Sequence, residues 1–265
     1  MADRIFLSLA CIPYMLSSAY AFYAFGAKRF SRTHLNLGLM MTGFALHTFF
    51  LYLRAVSIHH CPLTNPFEMI VFLSWAIVLN YLLLGPTMRV SLLGAFSAPL
   101  VLVINLIALL IPALDYPTHY ASAGWGVEMH AGLSVLAYGT LGIATVAAVM
   151  FLVANYYLKM RFLPPILSRL PPVGKLDVVC QRVTVLGFSL LTVGMIVGFA
   201  TIPTGFHIIK VGFLVLVWIA YCGILIGKFM AKISPVRFAY GCVGIYLFVL
   251  ITFWGIHLHA VPQHL

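Results

Sequence analysis

Ten histidines stand in a chain that holds only five acidic residues. Imidazole ligates iron and other transition metals, and it carries protons near neutral pH. His59 and His60 are adjacent; His119, His130 and His207 are spread along the middle of the chain; His257, His259 and His264 crowd the tail. His34 and His47 lie in the first fifth. His47 and Arg54 are seven residues apart, so on one helix they share a face. The bland reading of His47 is a hydrogen bond to a neighbouring element, and the sharper one is a ligand. Arg54 reads either as a snorkelling cation or as a receptor for an anionic group.

The elements that must position these side chains are membrane helices. The chain is 63% hydrophobic and 8% charged, with mean hydropathy +1.08. Apolar runs of the length a bilayer crossing needs, about 18 residues or more, recur over roughly 5–26, 34–56, 67–85, 90–112, 129–158, 178–202, 207–228 and 236–258. The expected fold is an all-α polytopic membrane protein with eight transmembrane helices, forming one domain over residues 1–265. The net charge of +10 invites a nucleic-acid reading, but its distribution is topological. Lys28, Arg29, Arg32, Arg89, Lys159, Arg161, Arg169, Lys175, Lys228, Lys232 and Arg237 fall in the odd loops, and Arg4, Arg54 and Lys210 are on the other side. By the positive-inside rule the odd loops are cytoplasmic and both termini are outside. No nucleic-acid partner is needed. The basic, apolar-dotted segment 159–176 reads as lying on lipid headgroups. The five cysteines make no CxxC, and one pairing, Cys11–Cys61, stays open.

On this topology eight histidines are on the outer side. The stretch from His60 to Glu68 enters the third helix. Asn65 or Thr64 can cap that helix, Pro66 suits its first turn, and Glu68 is favoured by the helix dipole. His130 follows Trp125 and Met129 at the outer end of the fifth helix, with Tyr138 two turns on. His264 and His207 fall at the same level. Two imidazoles from distant segments can clamp an iron from opposite faces of a flat macrocycle, with Trp125, Tyr116, Tyr120, Phe206 and Trp254 as cover. The alternatives are an interfacial histidine and a transition-metal carrier. Asp115 and Glu128 form an outer carboxylate pair of unfixed separation. The chain has no HExxH, GxSxG, Walker or GxGxxG motif.

The motifs LHxxxLxxR at Leu46–Arg54 and HxPLxNxFExxxFxxW at His60–Trp75 resemble the cytochrome c assembly superfamily. That superfamily comprises the CcsA/ResC heme-handling proteins and the shorter HemX-like and YpjD-like branch. Met129-His130 with Tyr138, the segment LGFSLLTVGMIVG at 186–198, and the Gly255–His264 spacing carry the similarity to the chain's end. The resemblance implies heme b as cofactor or cargo, with His130 and His264 as axial ligands of its iron. It also implies His47 as a membrane histidine, and His207, His60, Arg54 and Trp125 as further heme contacts, Arg54 toward a propionate. It implies the bacterial inner membrane, a periplasmic-domain partner and apocytochrome c, and a component of a heme lyase or delivery system. A regulatory HemX-like role in tetrapyrrole synthesis is the alternative. Two departures stand out. The loop before the seventh helix, TIPTGFHIIK, lacks the family's tryptophans, and Ile226 occupies the place of a second membrane histidine.

Overall fold

The computed structural model describes residues 2–26, 33–88, 93–116, 124–160, 171–201 and 208–258. They form eight α-helices and one short 3-10 turn, with no strand among the described residues. The helices are α1 (Ala2–Gly26), α2 (Thr33–Ile58), α3 (Pro66–Met88), α4 (Leu93–Leu110), α5 (Trp125–Lys159), α6 (Val173–Thr201), α7 (Ile208–Phe229) and α8 (Pro235–Leu258), with the turn at Pro112–Leu114. Among the described residues six helices are long and apolar enough to cross a membrane, while α4 and α8 carry shorter apolar stretches, Phe96–Leu110 and Pro235–Ile251. At 1.5 Å per residue α5 is about 52 Å long, well beyond the ~30 Å hydrocarbon layer. Its 35 residues begin four positions before the expected start.

The ends follow local chemistry. Pro172 offers its carbonyl to the N–H groups of Lys175 and Leu176, so α6 starts directly after the double proline rather than at 178. At the end of α7, Lys232 N–H donates to the Gly227 carbonyl (2.9 Å) and Ala231 N–H to that of Lys228 (3.1 Å). This is a Schellman cap, built with Ala231 at φ 54° where glycine is usual. His59 similarly terminates α2 at φ 60°. Histidine is among the residues that tolerate this left-handed region, so His59 has a structural role that its pairing with His60 in sequence does not suggest.

α1 packs on α2 and α4, α3 on α4 and α5, and α5 on α6 and α8, with α7 against α8 and α6. The seam of α3 with α5 therefore joins the first four helices to the last four. Apolar packing gives little net drive between helices in lipid, so short side chains and polar pairs specify the contacts. Ser74 Oγ donates to Asn105 Oδ1 (2.6 Å), Thr140 Oγ1 to Asn80 Oδ1 (2.9 Å), and the indole of Trp75 to Thr48 Oγ1 (2.8 Å). These link α3 to α4, α5 and α2. Where α5 and α6 run together, Gly187 faces Leu141 so closely that an added Cβ would lie 2.8 Å from its side chain.

Candidate functional site

Alternation of helix direction brings the start of α1, the end of α2, the start of α3, the 3-10 turn and the start of α5 to one end of the bundle. Four charges converge there. Arg54 Nε donates to Glu68 Oε1 (2.8 Å), and its Nη2 donates to Asp115 Oδ1 (2.5 Å). Arg4 Nη2 donates to Asp115 Oδ2 (2.5 Å). Two guanidiniums thus meet two carboxylates, and the group is neutral overall. Both guanidiniums also lie over the Phe67 ring, with Cζ 4.9 Å (Arg4) and 5.8 Å (Arg54) from its centroid, a cation–π arrangement.

The His60–Trp75 motif is what assembles this cluster. Asn65 caps α3 by accepting the N–H of Glu68 (2.9 Å). Its Nδ2 donates to Asp115 Oδ1 and to the Tyr116 carbonyl, both at 3.2 Å. Glu68 reaches back to take the backbone N–H (2.9 Å) and hydroxyl (2.7 Å) of Thr64. Glu68, 1% exposed, is thus shared between a helix cap and an ion pair. Arg54, expected to bind an anionic group, meets such groups within its own chain. Asp115, expected beside Glu128, pairs instead with Arg54 and Arg4. Neither Arg4 nor this use of Asp115 was evident from the sequence. The one available hint is scarcity: with five acids against fifteen bases, a carboxylate drawn into an apolar bundle finds a cation.

His130 sits one turn into α5 and turns toward α6. Its Nδ1 lies 2.7 Å from the Gly194 carbonyl oxygen. A carbonyl can only accept, so Nδ1 carries a proton, and in the neutral ring it is Nε2 that keeps the lone pair. Among the described residues Nε2 has no hydrogen-bond partner. Gly198, one turn on from Gly194, makes room for the ring: a Cβ there would lie 2.5 Å from Nδ1 and 2.6 Å from Cε1. Tyr138 does not share this face. Eight residues overshoot two helical turns by about 80°, and Tyr138 lines an apolar cleft with Leu73, Val135, Tyr246, Val249 and Leu250, between α3, α5 and α8. Trp125, the first residue of α5, is 78% exposed.

His60 is half-buried, with Nδ1 3.2 Å from the Cys61 carbonyl. Cys61, in the same loop, lies in the field of Glu128, a first-turn residue of α5. His47 is fully enclosed near the middle of α2, edge-on to Tyr14 at 6.3 Å and tilted against Phe50 at 6.5 Å between ring centroids. Neither of its nitrogens has a hydrogen-bond partner. His207 and His264 lie outside the described residues, as do His119 and His259. No three His, Cys, Asp or Glu side chains converge in metal-binding geometry among the described residues. Cys11 and Cys61 are both free thiols.

Burial, reinforced by the negative charges of Glu128 and Glu68, pushes the Cys61 thiol up to about 11. The thiolate is the reactive form, so a charged maleimide should label Cys61 of the detergent-solubilised protein slowly at pH 7. The rate should climb about tenfold per pH unit toward pH 10, and Glu128→Gln should accelerate it. Labelling at the rate of an unperturbed peptide thiol at pH 7 would refute this assignment of the loop's surroundings.

A family model described as cytochrome c assembly protein matches residues 63–259. The protein HemX of Brevibacillus brevis is 26% identical over 193 residues, covering 72% of this chain and 70% of that protein. CcsA of Trieres chinensis is 28% identical over 181 residues, covering 57% and 58%. CcsA of Chlamydomonas reinhardtii is 28% identical over 154 residues, covering 52% and 40%. The alignments to these two CcsA relatives therefore span only 58% and 40% of their length. With its apolar helices and a match over most of its length, the chain is a multi-pass membrane protein that belongs to the cytochrome c assembly family.

Proposed function

We propose that this protein binds heme b and presents it at the outer face of the bacterial cytoplasmic membrane during cytochrome c biogenesis. It would span the membrane eight times as one domain, with both termini outside. His130 is one axial ligand and His264 the other, with His207 or His60 as substitutes; Trp125, five positions before His130 on α5, offers an apolar ring. The observation that carries this reading is the Nδ1–H bond of His130 to the Gly194 carbonyl, which leaves Nε2 as a ready donor. Metal-ligating histidines are held in this way by a carbonyl or carboxylate on their other nitrogen. Bis-imidazole ligation would guard reduced iron, which thioether formation requires. Attachment to apocytochrome c would rest with a periplasmic-domain partner. A propionate at Arg54 would compete there with Asp115 and Glu68. The test is the absorption spectrum of the full chain purified from heme-replete cells. A Soret band present in wild type and lost in both His130→Ala and His264→Ala supports the reading; a heme-free wild-type protein overturns it.

A second reading is a regulatory or scaffold protein of tetrapyrrole synthesis without heme transport. The HemX match, with its coverage of both chains, favours it, as does the missing tryptophan-rich loop. The basic segment 159–176 would recruit the partner enzyme. Gene deletion separates the two. Loss of c-type cytochromes supports heme handling, and altered precursor levels with normal cytochromes support regulation.

A further inference from the structure

We propose that the Gly194–Gly198 turn of α6 is a positioning element for His130, fixing both the tautomer and the direction of its ring. The inference rests on the reading of His130 as a heme ligand, but its physical content is a property of the heme-free protein.

A free histidine exchanges between two neutral tautomers, and only one ring nitrogen at a time keeps a lone pair. The Gly194 carbonyl removes that choice, since it accepts the Nδ1 proton at 2.7 Å. Gly194 lies seven residues before the end of α6, so its carbonyl is part of the helical ladder; the second lone pair of that oxygen takes the imidazole N–H, and small side chains let the two helices approach. Gly194 lets α5 itself come close: an added Cβ would meet Ser134 Oγ at 3.3 Å, already a tight contact. Gly198 is the stricter requirement. Any residue with a Cβ would drive that atom to 2.5–2.6 Å from the imidazole. The ring would have to rotate away, and the Nδ1–carbonyl bond would break with it. The spacing of four puts Gly194 and Gly198 on one face of α6, one holding the proton and the other making space.

Gly198→Ala is the test, with Gly132→Ala as control, because a Cβ at Gly132 meets nothing within 4 Å. Ring-nitrogen NMR of the 15N-histidine-labelled heme-free protein reads the tautomer, with His130 assigned by its loss in His130→Gln. Wild type and Gly132→Ala should show Nδ1 protonated and Nε2 bare. Gly198→Ala should show a tautomer mixture. In the heme-loaded protein, Gly198→Ala should weaken heme retention by roughly ten- to a hundredfold, the usual cost of losing a ligand's supporting hydrogen bond. Wild-type protein with Nε2 protonated overturns the proposal, and this readout stands even where Gly198→Ala does not accumulate. So does a Gly198→Ala protein with unchanged tautomer and unchanged heme affinity. A wild type that binds no heme overturns the functional reading alone, while the heme-free tautomer still decides the positioning role.

Discussion

Arg54→Ala should be among the most destabilising single substitutions in this chain, at about 3–5 kcal/mol, because removing one partner of a buried pair leaves uncompensated charge behind. Arg54 is 16% exposed, and the carboxylates it joins are 1% (Glu68) and 11% (Asp115) exposed. After truncation Asp115 still has Arg4, but Glu68 retains only the N–H and hydroxyl of Thr64 and its own N–H bond to the cap. Arg4→Ala should cost less, since Arg4 is 31% exposed and, among the described residues, forms an ion pair with one carboxylate, Asp115; exposed pairs are worth about 1 kcal/mol or less. Glu68→Gln keeps the cap contacts and should fall between the two. Thermal unfolding followed by a thiol-reactive dye suits this chain, because Cys11, Cys180 and Cys242 are buried and react only on unfolding. An Arg54→Ala protein that melts with wild type would overturn the buried-staple account. Restoration of stability in Arg54→Ala/Glu68→Ala relative to Arg54→Ala would strengthen it.

This cluster also marks the boundary of what sequence can tell. The helices were legible because hydropathy and proline punctuation act locally: α2, α3, α7 and α8 begin and end within about three residues of the expected positions. The cap of α3 was legible for the same reason, since Asn65-Pro66 and Glu68 are neighbours in the chain. What was hidden depends on rotation and on distant partners. Tyr138 and His130 look aligned by turn counting, yet the 80° remainder sends one toward α8 and the other to α6. Gly194 and Gly198 looked like ordinary small residues of a membrane helix, and nothing local says that an imidazole lies over them. Arg54 reads from sequence as a snorkelling cation or an anion receptor; that it pairs with Glu68 and Asp115 could not be read, because Asp115 lies 61 positions away.

His47→Leu should raise stability, by about 1–3 kcal/mol, which is the cost of a buried polar group left without a partner. The ring is 0% exposed, and both nitrogens lack hydrogen bonds. The backbone of Val71 runs alongside, without the geometry of a bond. Tyr14 and Phe50 enclose the ring with aromatic surface, which leucine of similar volume can fill without a large cavity. Native chains seldom keep such orphans without a use, and the heme-binding function proposed above would supply one: a nitrogen held in reserve for a ligand that enters the bundle. The two accounts diverge in a single experiment. If the histidine is a reserved ligand, His47→Leu melts higher than wild type and carries less heme, since stability was being sacrificed for binding. If the substitution lowers stability, the ring has a partner after all and the orphan argument fails. If it raises stability with heme content unchanged, His47 takes no part in holding heme, and the binding role contracts to the His130 end of the bundle.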